Sequence, residues 1–351
     1  GVTGWPLDGA GGRPAAGLTS THYWTENFVD TWAADVVVMG CSAGVPDTGA
    51  EAAWWHLKGQ LNVLHMISDL KRRVNIDDDR VIINGHSDGG SGSFGLAFRM
   101  PDAFAGFFSM NGHPLVPASD GSPVWLENLK GLNLRAFNGG RDALYPSARV
   151  IPIYEQANAL GGRLDFVNYP ELDHGVGGVL EAEVAAFLRG PVTHWRRELI
   201  PTAIDWTCSD TRRGSRVWLA IDDIGDMGKL NAVPANAEIK VPAERVRLGI
   251  QIQRNVEQPT VEVVVKGSTA EALGMQTGDV VRKRDSHEIK KMADLLAALD
   301  TKAAGDDVVI TVEREGKEVE LKGKFPRPQP PTPPPSVRVV ATLDAPGTIS
   351  L

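Results

Sequence analysis

The stretch from Arg80 to Gly90, RVIINGHSDGG, constrains the fold more than any other part of the chain. Val81 to Asn84 reads as a buried strand and runs straight into Gly85-His86-Ser87-Asp88-Gly89, and Ser91 to Met100 has helical character. A strand, a tight turn centred on a serine and then a helix is the setting that makes G-x-S-x-G a nucleophile elbow. The turn is sharp, so the residues two before and two after the serine must lack bulk for strand and helix to approach. G-x-S-x-G recurs by chance in a chain with 38 glycines, and it is the flanking strand and helix that give this copy its weight.

A serine of this kind needs a base and an acid to orient that base. Leu132 to Asn138 reads as another buried strand, followed by Gly139-Gly140-Arg141-Asp142-Ala143-Leu144-Tyr145-Pro146. Leu164 to Tyr169 reads as the next, followed by Pro170-Glu171-Leu172-Asp173-His174-Gly175. Asp142 and His174 therefore each fall just past a strand's C-terminal end, where open α/β sheets build their sites. The order predicts Ser87 as nucleophile, His174 as base and Asp142 as the acid that fixes its tautomer. His113 follows the strand Phe107 to Met110 and is a rival base; Asp142 would also suit an ordinary turn. His86 is read as lining the substrate pocket, together with His113 and Trp5. The tryptophans near the front (Trp5, Trp24, Trp32, Trp54 and Trp55) suit an aromatic pocket or a core equally well.

The hydrolytic pattern carries a family likeness. Asp77 to Gly90, then Met100-Pro101-Asp102-Ala103-Phe104-Ala105-Gly106, resembles the esterase branch of the α/β-hydrolases. It is most similar to the feruloyl-esterase and polyester-depolymerase-like group, and the Gly139 to Pro146 loop matches the acid loop of such enzymes. The likeness covers about residues 1–190 and is shared with prolyl-type oligopeptidases, so peptide hydrolysis stays open. It implies an oxyanion hole built from the Asp88 N–H and a donor on an early loop, here Gly1 and Val2. Because no strand precedes Gly1, the resemblance further implies that two or three sheet strands are absent and that the chain is a fragment of a longer protein.

The rest of this region alternates strand and helix. Asp35 to Met39 is a short strand, and Trp54, Leu57, Leu61, Leu64, Ile67, Leu70 and Val74 step by three and four along a long helix. Helices are expected near Ala148 to Leu160, with Pro152 close to its start, and at Val179 to Leu188. The alternation predicts an α/β unit: a mainly parallel sheet flanked by helices, over residues 1–190. Residues 191–236 read as a β-strand extension, with strands at Ala203 to Thr207 and Arg216 to Ile221. Residues 326–336 are a proline-rich spacer and 337–351 a strand-like tail.

Residues 237–325 have their own signature. Leu248-Gly249-Ile250 opens a strand, Ser268 to Gly274 makes a short glycine-capped helix, Gly278-Asp279-Val280-Val281 follows, and Met292 to Leu299 is a second helix. Val308 to Val312 and Val319 to Leu321 flank a hairpin turn at Arg314 to Lys317. This resembles a PDZ domain of the bacterial periplasmic protease type, a mixed α+β module. The resemblance implies that Leu248, Gly249 and Ile250 form a carboxylate loop, that a peptide C-terminus adds beside them as a strand, and that the setting is periplasmic or secreted. A purely structural PDZ domain with its groove unused is the other reading.

The function expected from the sequence is hydrolysis of a small-molecule or polymer carboxylic ester through an acyl-serine. A peptidase with the same three residues, or a peptide-binding protein whose hydrolase part is inactive, are the alternatives. A net charge of −8 argues against a nucleic-acid surface, and Lys71-Arg72-Arg73 merely ends a helix. No apolar run reaches the ~18 residues of a membrane span. The two cysteines, Cys41 and Cys208, make no zinc set, and no cofactor is implied.

Overall fold

In a computed structural model the chain forms two compact units, Gly1–Lys240 with Thr332–Leu351, and Val241–Pro331. The structure describes residues 2–3, 37–38, 56–73, 75–120, 122–175, 178–225, 246–253, 256–326, 336–345 and 348–350. Two short strands, β1 (Val2–Thr3) and β2 (Val37–Val38), pair in parallel, and helix α1 (Leu57–Lys71) follows. Then come β3 (Ile82–His86), α2 (Asp88–Arg99), β4 (Gly106–Met110), β5 (Leu134–Gly139), α3 (Ser147–Ala159), β6 (Leu164–Tyr169) and α4 (Val179–Arg189). Strands β3-β4-β5-β6 form one parallel sheet in that order.

Alternation along the strands explains the layers. Val81, Ile83, Phe107, Leu134 and Ala136 face one side, under α1, α2 and α3, where Val63, Phe94, Phe98, Val150 and Tyr154 are buried. Ile82, Phe108, Met110 and Phe137 face the other, beneath Val184 and Phe187 of α4. Strands buried on both faces read as near-continuous apolar runs, which is why β3 and β4 were visible in the sequence. Each fully buried phenylalanine contributes on the order of 2–3 kcal/mol. Pro152 lies inside α3 rather than in its first turn. Its side chain ring removes one backbone donor there, and the carbonyl of Pro152 accepts from Gln156 Nε2 at 2.9 Å.

A short helix, α5 (Pro191–His194), leads to β7 (Ala203–Cys208). The second strand expected at Arg216 to Ile221 is instead a tight hairpin of β8 (Ser215–Arg216) and β9 (Leu219–Ala220), turned at Val217 with φ 51°. The partner of β7 comes from the far end of the chain, Val337–Thr342. Asn128 clamps the outer backbone of β7, donating to the Thr207 carbonyl at 2.8 Å and accepting from its N–H at 2.9 Å. Cys208 is a free, buried thiol.

In the second unit β10 (Ile250–Ile252) pairs antiparallel with β11 (Val261–Val264). Helix α6 (Thr269–Leu273) is capped by the Ser268 hydroxyl, which accepts from the Glu271 N–H, and by Gly274 in the left-handed region at φ 79°. Strand β12 (Val280–Arg284), the short β13 (His287–Glu288), helix α7 (Met292–Asp300), β14 (Asp307–Arg314) and β15 (Lys317–Lys324) complete it. The sheet order is β13-β12-β14-β15. Glu315 and Gly316, at φ 52° and 76°, make the two-residue turn whose twist matches an antiparallel hairpin. Val261, Val281, Ile310, Val312, Leu295 and Ala298 form its core. Arg284, 2% exposed, closes the end of α7 by donating to the Ala298 carbonyl and the Thr301 hydroxyl.

The chain then returns to the first unit. Strand β16 (Val337–Ala345) runs antiparallel to β7 along its whole length, and β17 (Thr348–Ser350) folds back on β16. Arg338 and Asp205 join the two strands with a two-pronged ion pair at 2.7 Å per contact. Among the described residues no helix is long and apolar enough to cross a membrane.

Candidate active site

Ser87 sits at the turn between β3 and α2. Its backbone is at φ 58°, ψ −119°, a strained region for any residue with a side chain. Two hydrogen bonds hold it there: its N–H donates to the Met110 carbonyl of β4 at 2.8 Å, and its carbonyl accepts from the Ser91 N–H at 3.0 Å in the first turn of α2. The approach of strand to helix is as close as the elbow motif requires. A Cβ on Gly85 would lie 2.4 Å from the Gly89 carbonyl carbon, and one on Gly112 would lie 2.5 Å from that of Gly90. Both obstacles are backbone, so neither can swing away. Gly85→Ala is therefore expected to destabilise the first unit by about 1–3 kcal/mol through overpacking, read as a lower denaturation midpoint. An unchanged midpoint would show that the elbow relaxes.

The three residues singled out from the sequence come together. The Ser87 hydroxyl donates to Nε2 of His174 at 2.8 Å, and Nδ1–H of His174 donates to Oδ2 of Asp142, also at 2.8 Å. Oδ1 of Asp142 accepts from the N–H groups of Leu144 and Tyr145, each at 2.8 Å. The carboxylate is buried, at 1% exposure, yet both of its oxygens are occupied by donors, which is the condition for keeping such a group inside. The loops that carry Asp142 and His174 are stitched by Gly140 N–H to Tyr169 O and Arg141 N–H to Leu172 O, both 2.8 Å, and by an Arg141–Glu171 ion pair at the surface.

The hydrogen bond to the Ser87 hydroxyl comes from His174, whereas Nδ1 of His113 accepts from the Leu115 N–H at 3.1 Å and its ring stands 5.6 Å from that of Tyr145. Tyr145 in turn packs edge-on to His174, with centroids 5.8 Å apart, and its hydroxyl is 3.4 Å from Oδ1 of Asp88. His86 is 7% exposed, and Nε2–H of its ring donates to the His174 carbonyl at 2.8 Å. Its ring thus meets the backbone of His174. Burial, followed by the neighbouring His174, pushes its pKa down to about 4. Asp88 is the first residue of α2, so its N–H lies at the positive end of that helix. Val2 lies in strand β1 rather than in a loop, with β1 alongside β3, whereas Gly1 and Trp5 fall outside the described residues.

Sequence reasoning missed two contributors. Asn111, fully buried at φ 46°, donates from Nδ2 to the carbonyls of Asp173 and His174 and accepts from the Gly139 N–H. Tyr145, which the sequence places only within the acid loop, packs edge-on to His174. The one local signal for Asn111 is its place, a polar residue at the end of an apolar strand and before a glycine.

The lowered pKa of His86 has a consequence for stability. Between about pH 6.5 and 4 the unfolded chain binds a proton at His86 that the folded chain does not, so stability is complete above that window and falls as pH drops through it. The loss is on the order of 3 kcal/mol at its limit. Urea midpoints measured from pH 7 to 4 should fall less steeply in His86→Gln than in the parent; equal slopes would exclude His86 as the source.

In the second unit Leu248 is 2% exposed, with its carbonyl accepting from the Ala270 N–H at 2.7 Å. Gly249 is at φ 76°, its carbonyl accepts from the Val265 N–H at 2.9 Å, and an added Cβ would fall 2.3 Å from that of Ser268. Ile250 begins β10, whose edge away from β11 has no strand partner among the described residues. The PDZ domain family matches residues 246–324. This segment is a PDZ domain. Over 83 residues the chain is 32% identical to a Do-like HtrA serine protease of Lactobacillus helveticus, a match that spans 23% of this chain and 20% of that protein. The chain thus covers about a fifth of that relative's length. Among solved structures it is similar to an HtrA-type protease, AlgW, crystallised with a decapeptide (22% identity, TM-score 0.22, 24% of this chain and 30% of that one). It is also similar to a thermostable esterase (19% identity, TM-score 0.42, 56% and 54% of the two chains) and to SOBER1 of Arabidopsis thaliana (13%, 0.40, 54% and 96%).

Proposed function

We propose that the first unit is a serine hydrolase that cleaves carboxylic esters through an acyl-serine intermediate. The observation that carries this reading is the hydrogen-bonded chain Asp142–His174–Ser87 on a strained strand-to-helix turn. The Ser87 oxygen attacks the ester carbonyl while its proton passes to Nε2 of His174. The resulting oxyanion is met by the N–H of Asp88 at the start of α2, where the helix dipole adds to the attraction. Collapse of the tetrahedral intermediate expels the alkoxide, which leaves as the alcohol with the proton held by His174. Water, deprotonated by the same imidazole, then releases the acid. Asp142 keeps the proton on Nδ1 throughout and stabilises the imidazolium.

Hydrolysis of short p-nitrophenyl esters, with labelling of Ser87 by a fluorophosphonate, tests the proposal. Absence of both would sink it. A second reading, a peptidase with the same residues, is favoured by the PDZ domain and by its β10 edge, which has no strand partner among the described residues and on which a peptide could add as a strand. The loop at Leu248, Gly249 and Ile250 would then receive the peptide's C-terminal carboxylate, in a periplasmic or secreted setting. Parallel ester and peptide panels separate the two readings.

A further inference from the structure

The proposed base is held from behind as well as from in front. The carbonyl oxygen of His174 receives two side-chain donors, Nε2–H of His86 at 2.8 Å and Nδ2–H of Asn111 at 2.9 Å. These come from the C-terminal ends of two neighbouring strands: His86 is the last residue of β3, and Asn111 follows β4. We propose that His86 and Asn111 are positioning residues, a two-donor clamp that sets the His174 backbone so that its ring meets Ser87 and Asp142 together. The proposal rests on the hydrolase reading given above.

Four observations converge on it. His174 lies on a loop that begins after β6, whose described residues 170–175 form no helix or strand, so its place must be set by contacts from elsewhere. Asn111 ties that loop to the acid strand, because its Oδ1 accepts from the Gly139 N–H while its Nδ2 reaches Asp173 and His174. The ring of His86 is committed to a single tautomer by its acceptor, with Nδ1 buried and making no hydrogen bond among the described residues. Finally, both clamp residues are themselves held by the sheet and by burial. His86 is within the sheet, and Asn111 is fully buried with its N–H donating to the Phe137 carbonyl at 2.9 Å. A base held by fixed elements needs no reorganisation when the proton moves, and displacement of such a group by about 1 Å can cost on the order of 10²-fold in rate.

The test compares His86→Leu, which removes the donor, with His86→Gln, whose Nε2 can reach the same carbonyl. On a p-nitrophenyl ester, His86→Leu should lower kcat by roughly 10- to 100-fold with KM little changed, and His86→Gln should recover most of that loss. Wild-type kcat in His86→Leu, or equal losses in both variants, would overturn the clamp. If His86→Leu does not fold, Asn111→Asp removes the other donor while keeping the acceptor for Gly139, and the same loss in kcat is expected. The downfield proton resonance of the His174 Nδ1–Asp142 bond gives a readout that needs no turnover. It should persist in His86→Gln and vanish in His86→Leu, and its persistence in both would overturn the proposal. An inactive wild type that keeps this resonance would instead count against the hydrolase reading alone.

Discussion

Ser87→Ala is expected to lower kcat on a p-nitrophenyl ester by roughly 10⁶-fold, leaving a residual rate about 10³–10⁴-fold above the uncatalysed reaction. The size of the effect follows from the chemistry. His174 has its Nε2 directed at the Ser87 oxygen, and without that oxygen it has no nucleophile to activate. What remains is ground-state binding and an oxyanion donor, which act on an ester that only water can attack. The fold should survive, because Ser87 contributes its backbone to the elbow through the Met110 and Ser91 hydrogen bonds, and alanine retains both. Circular dichroism would check that. Equal rates for the parent and the variant would exclude Ser87 as the nucleophile.

Asp142→Asn should cost about 10⁴-fold, for a subtler reason. Oδ1 of Asp142 accepts two backbone N–H groups, from Leu144 and Tyr145, so the amide oxygen of asparagine must take that place. Its NH₂ group then points at His174 and can only donate. Nδ1 of His174 becomes an acceptor, its proton moves to Nε2, and the ring presents N–H rather than a lone pair to Ser87. The base is thereby switched off with hardly an atom displaced. Ester turnover and fluorophosphonate labelling should fall together. A loss of less than tenfold would mean that Asp142 has no part in setting the tautomer.

The residues that come together at the site were legible because each stands at a place that chain order exposes. Ser87 is bracketed by glycines that the strand and helix demand, and Asp142 and His174 each follow an apolar run that ends at a loop. His86 and Asn111 were not legible in the same way. Their role depends on where the ends of β3 and β4 lie relative to a loop more than sixty residues further on (|i−j| = 88 and 63), and no local pattern encodes that. The same holds for β7. Its partner lies 133 residues away between Asp205 and Arg338, so the sequence suggested the nearest apolar run instead. That run, Arg216 to Ile221, has the composition of one strand, but Val217 takes a positive φ and folds it into a hairpin. The PDZ segment was the most readable of all, because its helix cap at Ser268, its left-handed Gly274 and its Glu315-Gly316 turn are local devices with local signals.

The antiparallel ladder between β7 and β16 makes the PDZ domain an insertion rather than an appendage. Its two ends continue into strands of one sheet, β7 before it and β16 after it, so closing that loop has an entropic cost that grows only slowly with its length. The same topology turns a backbone cut within residues 241–331 into a change of molecularity. Before the cut, β16 finds β7 as a segment of the same molecule at a high effective concentration. After it, the strand is held by non-covalent contacts alone, among them the β7 ladder, the Arg338–Asp205 pair and the packing of Val337 and Val339 against Ile204 and Trp206, and once released it is a separate peptide.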